Sequence, residues 1–157
     1  EVMNKYYFEG KTQEQAINLA LYELNISEDD LIVNNVEDKS SLLKKNVKIE
    51  VLNIKEIISF IKDTLNKITE LMGAKSNLEV KRREKSISVT IFSENNAILI
   101  GKNGKNVAAL QLLIRQMVNS KLKEPLSIII DVGNYKEKRA GLPQRNPALI
   151  QFTRLII

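Results

Sequence analysis

The segment Ile100-Gly101-Lys102-Asn103-Gly104-Lys105 interrupts a stretch of apolar residues at helical spacing. Two glycines bracketing two polar residues let the backbone turn sharply and let it approach another molecule without interference from a Cβ atom. The chain before and after this point must therefore form two separate elements. A helix starting just beyond the loop aims the positive end of its dipole and its free N–H groups back at it, and Lys102 and Lys105 add charge, an arrangement that suits a phosphate. The competing reading is a plain helix-to-helix turn, with Gly101 as a C-cap and Gly104 relieving crowding. Four residues alone do not decide between the two. Neither GxxxxGK[ST] nor GxGxxG occurs in the chain, so a phosphate held here points to a polynucleotide more than to a bound nucleotide.

The elements around the loop fall into two groups. Lys5 to Glu9 reads as a short strand, and Thr12 with Gln15 three residues on forms a capping box that starts a helix. Ala16, Leu19, Ala20 and Leu24, widened by Ile17 and Leu21, keep helical spacing up to Asn25, where the helix stops. Leu31 to Val36 and Val47 to Leu52 alternate as strands. At Ile54 the period becomes helical, with Ile54, Ile57, Ile58, Ile61, Leu65, Ile68 and Leu71-Met72 on one stripe that Gly73 ends. Leu78 to Arg83 and Ser86 to Phe92 read as strands joined at Glu84-Lys85. Asn95 caps a short helix through Ile100, and a long helix to about Lys121 turns Val107, Leu110, Ile114, Met117 and Val118 inward. Pro125 introduces a last strand, Leu126 to Val132. The expected fold class is α+β: a small β-α-β-β module over residues 4–53, an α-β-β-α-α-β module over 54–133, and an exit segment over 134–157.

Composition narrows the chemistry. The 157 residues include no Cys and no His, which removes disulfides, Cys/His zinc sites, thiol nucleophiles and imidazole-based triads. The net charge of +5 is unevenly spread. Residues 1–53 carry six basic against ten acidic side chains, residues 54–133 thirteen against eight, and residues 134–157 five against one. The second module is thus the one expected to meet a polyanion. Apolar runs such as Ala97-Ile98-Leu99-Ile100 are far shorter than the ~20 residues of a membrane span, and the expected location is the cytoplasm.

The order of elements around the glycine loop resembles the type II KH domain, whose GxxG loop clamps about four nucleotides of a single strand. Phe8-Glu9-Gly10-Lys11-Thr12-Gln13-Glu14-Gln15-Ala16-Ile17 with Ala20-Leu21-Tyr22-Glu23-Leu24 is similar to the N-terminal domain of the Jag (SpoIIIJ-associated, KhpB) family. Leu99 to Gly104, Ala109-Leu110-Gln111, Ile130-Asp131-Val132 and Tyr135 to Arg139 resemble that family's KH segment and its exit. The resemblance implies a non-enzymatic RNA-binding protein, with single-stranded RNA held by Ile100, Gly101, Lys102, Asn103, Gly104 and Lys105. It adds an aliphatic base groove, for which Ile98, Ile100 and Val107 are the candidates, and it implies post-transcriptional control linked to cell elongation and division. Implied partners are a small single-KH protein or a second copy of the chain, with the membrane reached only indirectly through protein partners. No cofactor, metal or small-molecule substrate is expected. The alternative is a protein-interaction module in which the apolar KH helices form a dimer face.

Two departures from the family stand out. A glycine-rich F-L-G turn is replaced by Ser40-Ser41-Leu42-Leu43-Lys44-Lys45, and the His-bearing R-three-H domain that ends the family has no counterpart here, so the chain is expected to lack it. Residues 140–157, with their apolar Leu149-Ile150 and Leu155-Ile156-Ile157, are read as a non-native or read-through tail. Three further features carry weaker readings. Lys81-Arg82-Arg83 with Lys85 is either an RNA-touching strand edge or a solvated one, Glu28-Asp29-Asp30 is an acidic turn before a strand more than a cation site, and Tyr135 could stack on a base.

Overall fold

A computed structural model describes residues 2–133. The described chain divides into two compact units, the first reaching Phe60 and including Leu122–Glu124, the second holding Ile61–Lys121 and the residues from Pro125 onward.

The first unit opens with β1 (Tyr6–Gly10) and α1 (Gln13–Leu24). Thr12 caps α1 by accepting from the Gln15 N–H at 3.2 Å. Gln15 reaches back, but to the N–H of Lys11 at 3.1 Å, one residue before the cap. At the other end Asn25 adopts φ 51°, ψ 51°, a left-handed conformation that asparagine tolerates, and its N–H closes onto the Leu21 and Tyr22 carbonyls. A single 3₁₀ turn at Glu28–Asp30 leads into β2 (Leu31–Asp38), which is followed by β3 (Val47–Asn53). The sheet order is β1-β3-β2, antiparallel throughout. Ala16 and Ala20 are fully buried against Ile49 and Val51, with Tyr6, Phe8, Ile17, Leu24, Leu31, Val33 and Val47 packed around them. Two alanines at that contact bring α1 close to the sheet. Leu19, assigned to this stripe from its spacing, is instead 40% exposed.

On the opposite face of β3, Glu50 gathers three donors. Asn34 donates to it at 2.6 Å, Tyr7 at 3.2 Å, and the Lys5 ammonium lies 2.9 Å away. Register along β2 shifts between Val33 and Asn35, so Asn34 is the bulged residue, and a bulge is a device that re-aims a side chain. These partners, Asn34 first and then Lys5, hold the Glu50 carboxyl below the usual carboxylate range.

The division between the units falls within α2 (Ile54–Leu71). Gly73 at φ 79° ends α2, and the Ala74 N–H bonds the Thr69 carbonyl at 2.9 Å. Leu71, at the end of the predicted stripe, is 89% exposed. The second unit continues with β4 (Ser76–Arg83), β5 (Ser86–Ser93), α3 (Asn96–Ile100), a 3₁₀ turn at Lys102–Gly104, α4 (Lys105–Asn119) and β6 (Ser127–Val132). Its sheet order is β4-β5-β6, with β5 antiparallel to β4 and parallel to β6. The β4–β5 turn puts Glu84 at φ 49°, a left-handed conformation that suits Gly or Asn better than Glu. Ile87, Val89 and Ile91 of β5, Leu99 of α3, Val107, Leu110, Ile114 and Val118 of α4, and Ile128, Ile130 and Val132 of β6 are all buried and make up its core. Met117, expected inward, is only partly buried. No helix among the described residues is long and apolar enough to cross a membrane.

Sequence spacing held no hint of how α4 is pinned to β6. Gln111, Arg115 and Asn119 lie four residues apart on one face of α4. The Gln111 side-chain oxygen accepts from the Ile130 N–H at 2.9 Å, and Arg115 Nε donates to the Ile128 carbonyl at 2.8 Å. Asn119 both accepts from the Leu126 N–H and donates to its carbonyl, at 2.9 and 3.0 Å. The side of β6 turned away from β5 is thereby hydrogen-bonded by side chains, which fixes α4 in register along the strand and covers an edge that would otherwise invite pairing.

Candidate nucleic-acid interface

The glycine loop is where the backbone leaves ordinary conformations. Gly101 sits at φ 72°, ψ 176°, a region populated almost only by glycine. Asn103 at φ 57° and Gly104 at φ 75°, ψ 15° follow in left-handed conformations. Three such residues in four turn the chain out of α3 and straight into α4. The Gly104 N–H bonds the Gly101 carbonyl at 3.2 Å, and the Lys105 N–H bonds that of Lys102, so the loop is internally closed.

A residue beyond the GxxG motif locks this geometry. Asn106 Nδ2 donates to the Ile98 carbonyl at 2.7 Å, tying the first turn of α4 to α3. A Cβ at Gly101 would lie 2.6 to 2.9 Å from the Asn106 side-chain atoms, so beyond the strain in φ any other residue would push Asn106 off the Ile98 carbonyl. No side chain caps α4. The amides of its first turn face the loop, where Lys102, Asn103 and Lys105 are exposed while Gly104 is buried.

Of the six residues singled out from the sequence, the structure brings Gly101 to Lys105 together in one turn, with Ile100 partly buried at its entrance. The groove candidates separate: Ile98 is 44% exposed on α3, whereas Val107 is 5% exposed and belongs to the core. Asn95 does not cap α3 with its side chain, which donates to the Gly73 carbonyl at 3.2 Å instead. Asn96, the first residue of α3, accepts from the Ser93 N–H at 3.1 Å, which ties the helix start to the end of β5 without capping an α3 amide. Sequence reasoning also missed a charge signal. Between Glu94 and Glu124 there is no Asp or Glu, while Lys102, Lys105, Arg115, Lys121 and Lys123 all fall in that interval.

The other candidates lie elsewhere. Lys81, Arg82 and Arg83 end β4, with Lys81 3.6 Å from Glu79. They sit beside the start of β5, whereas α3 follows its other end, roughly 24 Å away along an eight-residue strand. The Glu28–Asp30 turn does lead into β2, and Asp30, 6% exposed, is held by Lys55 at 3.1 Å and by the Ser27 hydroxyl at 3.0 Å. Among the described residues no group of three or more acidic side chains could hold a metal ion. Tyr135 and residues 140–157 lie outside the described residues.

A three-stranded mixed sheet backed by helices, with a Gly-x-x-Gly turn joining two of them, defines a KH-type module preceded by a small α/β unit. Residues 59–130 match the KH domain of KhpA/KhpB, and residues 8–52 match the Jag N-terminus. With both domains matched in this order, the chain belongs to the Jag/KhpB family. It is 29% identical over 142 residues to the RNA-binding protein KhpB of Clostridium symbiosum, covering 83% of this chain and 61% of that protein. It is 26% identical over 135 residues to the Bacillus subtilis (strain 168) protein of the same name, covering 83% and 65%. A Streptococcus pneumoniae KhpB is 24% identical over 144 residues, covering 92% and 42%. The chain thus spans less than two thirds of the length of these relatives.

Proposed function

We propose that the chain binds single-stranded RNA through the turn formed by Gly101, Lys102, Asn103, Gly104 and Lys105, entered at Ile100. The observation that carries this reading is the run of left-handed backbone at Gly101, Asn103 and Gly104, which ends at an uncapped helix start flanked by two exposed lysines. A phosphate placed there meets the positive end of α4 and the ammonium groups at once. Recognition is weak in sequence preference, because the groups supplied face backbone phosphates and not base edges. Exposed Ile98 offers an apolar surface to one base beside the clamp. Domains over residues 4–53 and 54–133, a cytoplasmic location, the absence of catalysis and a regulatory role in cell elongation and division complete the proposal. If about three phosphates are engaged, log K falls with log salt at a slope near −2, following the ~0.7 counterions released per phosphate of a single strand. A slope indistinguishable from zero overturns the clamp.

A second reading is favoured by Leu112 and Leu113, which are 59% and 42% exposed on the outer side of α4. Adjacent apolar side chains there suit a partner helix, supplied by a small single-KH protein or by a second copy of the chain. Concentration-dependent sedimentation tests it: Leu112→Ser/Leu113→Ser should leave a monomer, and a self-associating variant rules this face out.

A further inference from the structure

The hairpin tip joining β2 to β3 differs in character from the module that carries it. Residues 39–48 contain Lys39, Lys44, Lys45 and Lys48 and no acidic side chain. The rest of residues 1–53 holds two lysines against ten carboxylates. At the centre of this cationic island Leu42 and Leu43 are 106% and 99% exposed. Nothing in the packing of the tip explains two neighbouring leucines held entirely in water.

The tip is also hydrogen-bonded to itself. The Lys39 N–H bonds the Asn46 carbonyl and the Ser41 N–H the Lys44 carbonyl, each at 2.7 Å. The Ser41 hydroxyl accepts from the N–H groups of Lys44 at 3.1 Å and Leu43 at 3.4 Å. Ser40 donates its N–H to Asp38 at 2.9 Å, and its hydroxyl accepts from the Asn46 N–H at 3.0 Å. With the N–H groups of Lys39, Ser40, Ser41, Leu43, Lys44 and Asn46 already paired inside the turn, the leucines can leave water at a smaller cost in unpaired backbone donors than an open loop would incur. Lys44 and Lys45 make no ion pair among the described residues, Lys39 lies 3.7 Å from Glu37, and Lys48 lies over the Tyr7 ring.

Two apolar side chains on a tip, ringed by ammonium groups, match the boundary of a bilayer, where acyl chains lie just beneath anionic headgroups. RNA would engage the lysines but leave both leucines in water. The acidic remainder of the module is repelled by an anionic surface, so the tip alone can approach one.

We propose that the β2–β3 tip is a lipid-contact element, Leu42 and Leu43 entering the acyl boundary of an anionic bilayer while Lys39, Lys44 and Lys45 lie on its headgroup phosphates. This contact is direct, in contrast to a membrane link made through a protein partner, and it is independent of the RNA clamp. The test is flotation of the full chain with vesicles of roughly three parts phosphatidylcholine to one part phosphatidylglycerol, beside pure phosphatidylcholine. The chain should bind the anionic vesicles, more weakly as salt rises. Leu42→Ser/Leu43→Ser should lower the partition coefficient by about tenfold or more, since the apolar transfer is lost from both positions. Lys44→Gln/Lys45→Gln should flatten the salt dependence, and Lys102→Asp/Asn103→Asp should bind vesicles as the parent does. Failure of the parent chain to float, or unchanged flotation of the serine variant with its fold intact by circular dichroism, overturns the proposal. So does loss of RNA binding, and not of vesicle binding, on replacing the leucines.

Discussion

Replacing Gly101 by alanine tests the architecture of the loop. At φ 72°, ψ 176° an alanine occupies a region that costs on the order of 1–3 kcal/mol. Its Cβ would stand 2.6 Å from Asn106 Cγ and displace the side chain whose Nδ2 bonds the Ile98 carbonyl at 2.7 Å. Losing that bond adds roughly 0.5–1.5 kcal/mol, for a total of about 2–4 kcal/mol, a large share of the 5–15 kcal/mol that a domain commonly has. Asn106→Ala alone removes only the bond and should cost about 1 kcal/mol. The two changes share that bond, so the double variant should be about 1 kcal/mol more stable than the sum of the single effects implies. Urea unfolding of the four proteins, followed by circular dichroism at a common slope, supplies the cycle. A Gly101→Ala chain within about 0.5 kcal/mol of the parent would show that the turn has no need of glycine there, and additive single effects would show that Asn106 is not its lock.

Two other positions give separate tests. Gln111→Leu keeps the volume of a buried side chain but leaves the Ile130 N–H without its acceptor, and urea titration should show a loss of about 1–3 kcal/mol. Glu50→Gln should cost about 1–2 kcal/mol at neutral pH by weakening charge-assisted bonds to Asn34 and Lys5. Because the folded state lowers the Glu50 carboxyl, its contribution is complete above the ordinary glutamate value of about 4.3 and vanishes as pH falls through the lowered folded value. Stability measured against pH should therefore drop less steeply in the glutamine variant across that acidic window, and parallel curves would remove Glu50 from the acid response.

Much of the fold was legible because local chemistry and tertiary structure agree. Thr12, Gln15, Asn25 and Gly73 each mark a helix end by a mechanism that needs no distant partner. The glycine loop could be read for the same reason, since its conformations are ones that glycine and, at position 103, a short polar side chain such as Asn or Asp adopt readily. Burial at the rim of a broad apolar stripe was not legible. Leu19 and Leu71 have the spacing of core residues but face water, and spacing alone does not say where a wide stripe stops meeting a neighbour. Gln111 is the converse, a polar residue drawn into the core by a strand edge that needed an acceptor. Asn106 was overlooked because its role depends on the Ile98 carbonyl, eight residues back and across the turn.

If the Gly101–Gly104 turn holds RNA by its phosphates, charge reversal at the turn must weaken binding. Fluorescence anisotropy of a labelled single-stranded oligoribonucleotide, titrated with the full chain and with Lys102→Asp/Asn103→Asp, tests it most directly. Both side chains are exposed, so the variant should unfold at the same urea concentration as the parent. The variant should bind at least roughly tenfold more weakly, and its salt slope should shrink in magnitude by about 0.7 for every phosphate it no longer holds. A folded variant with unchanged affinity and an unchanged slope would contradict the phosphate clamp.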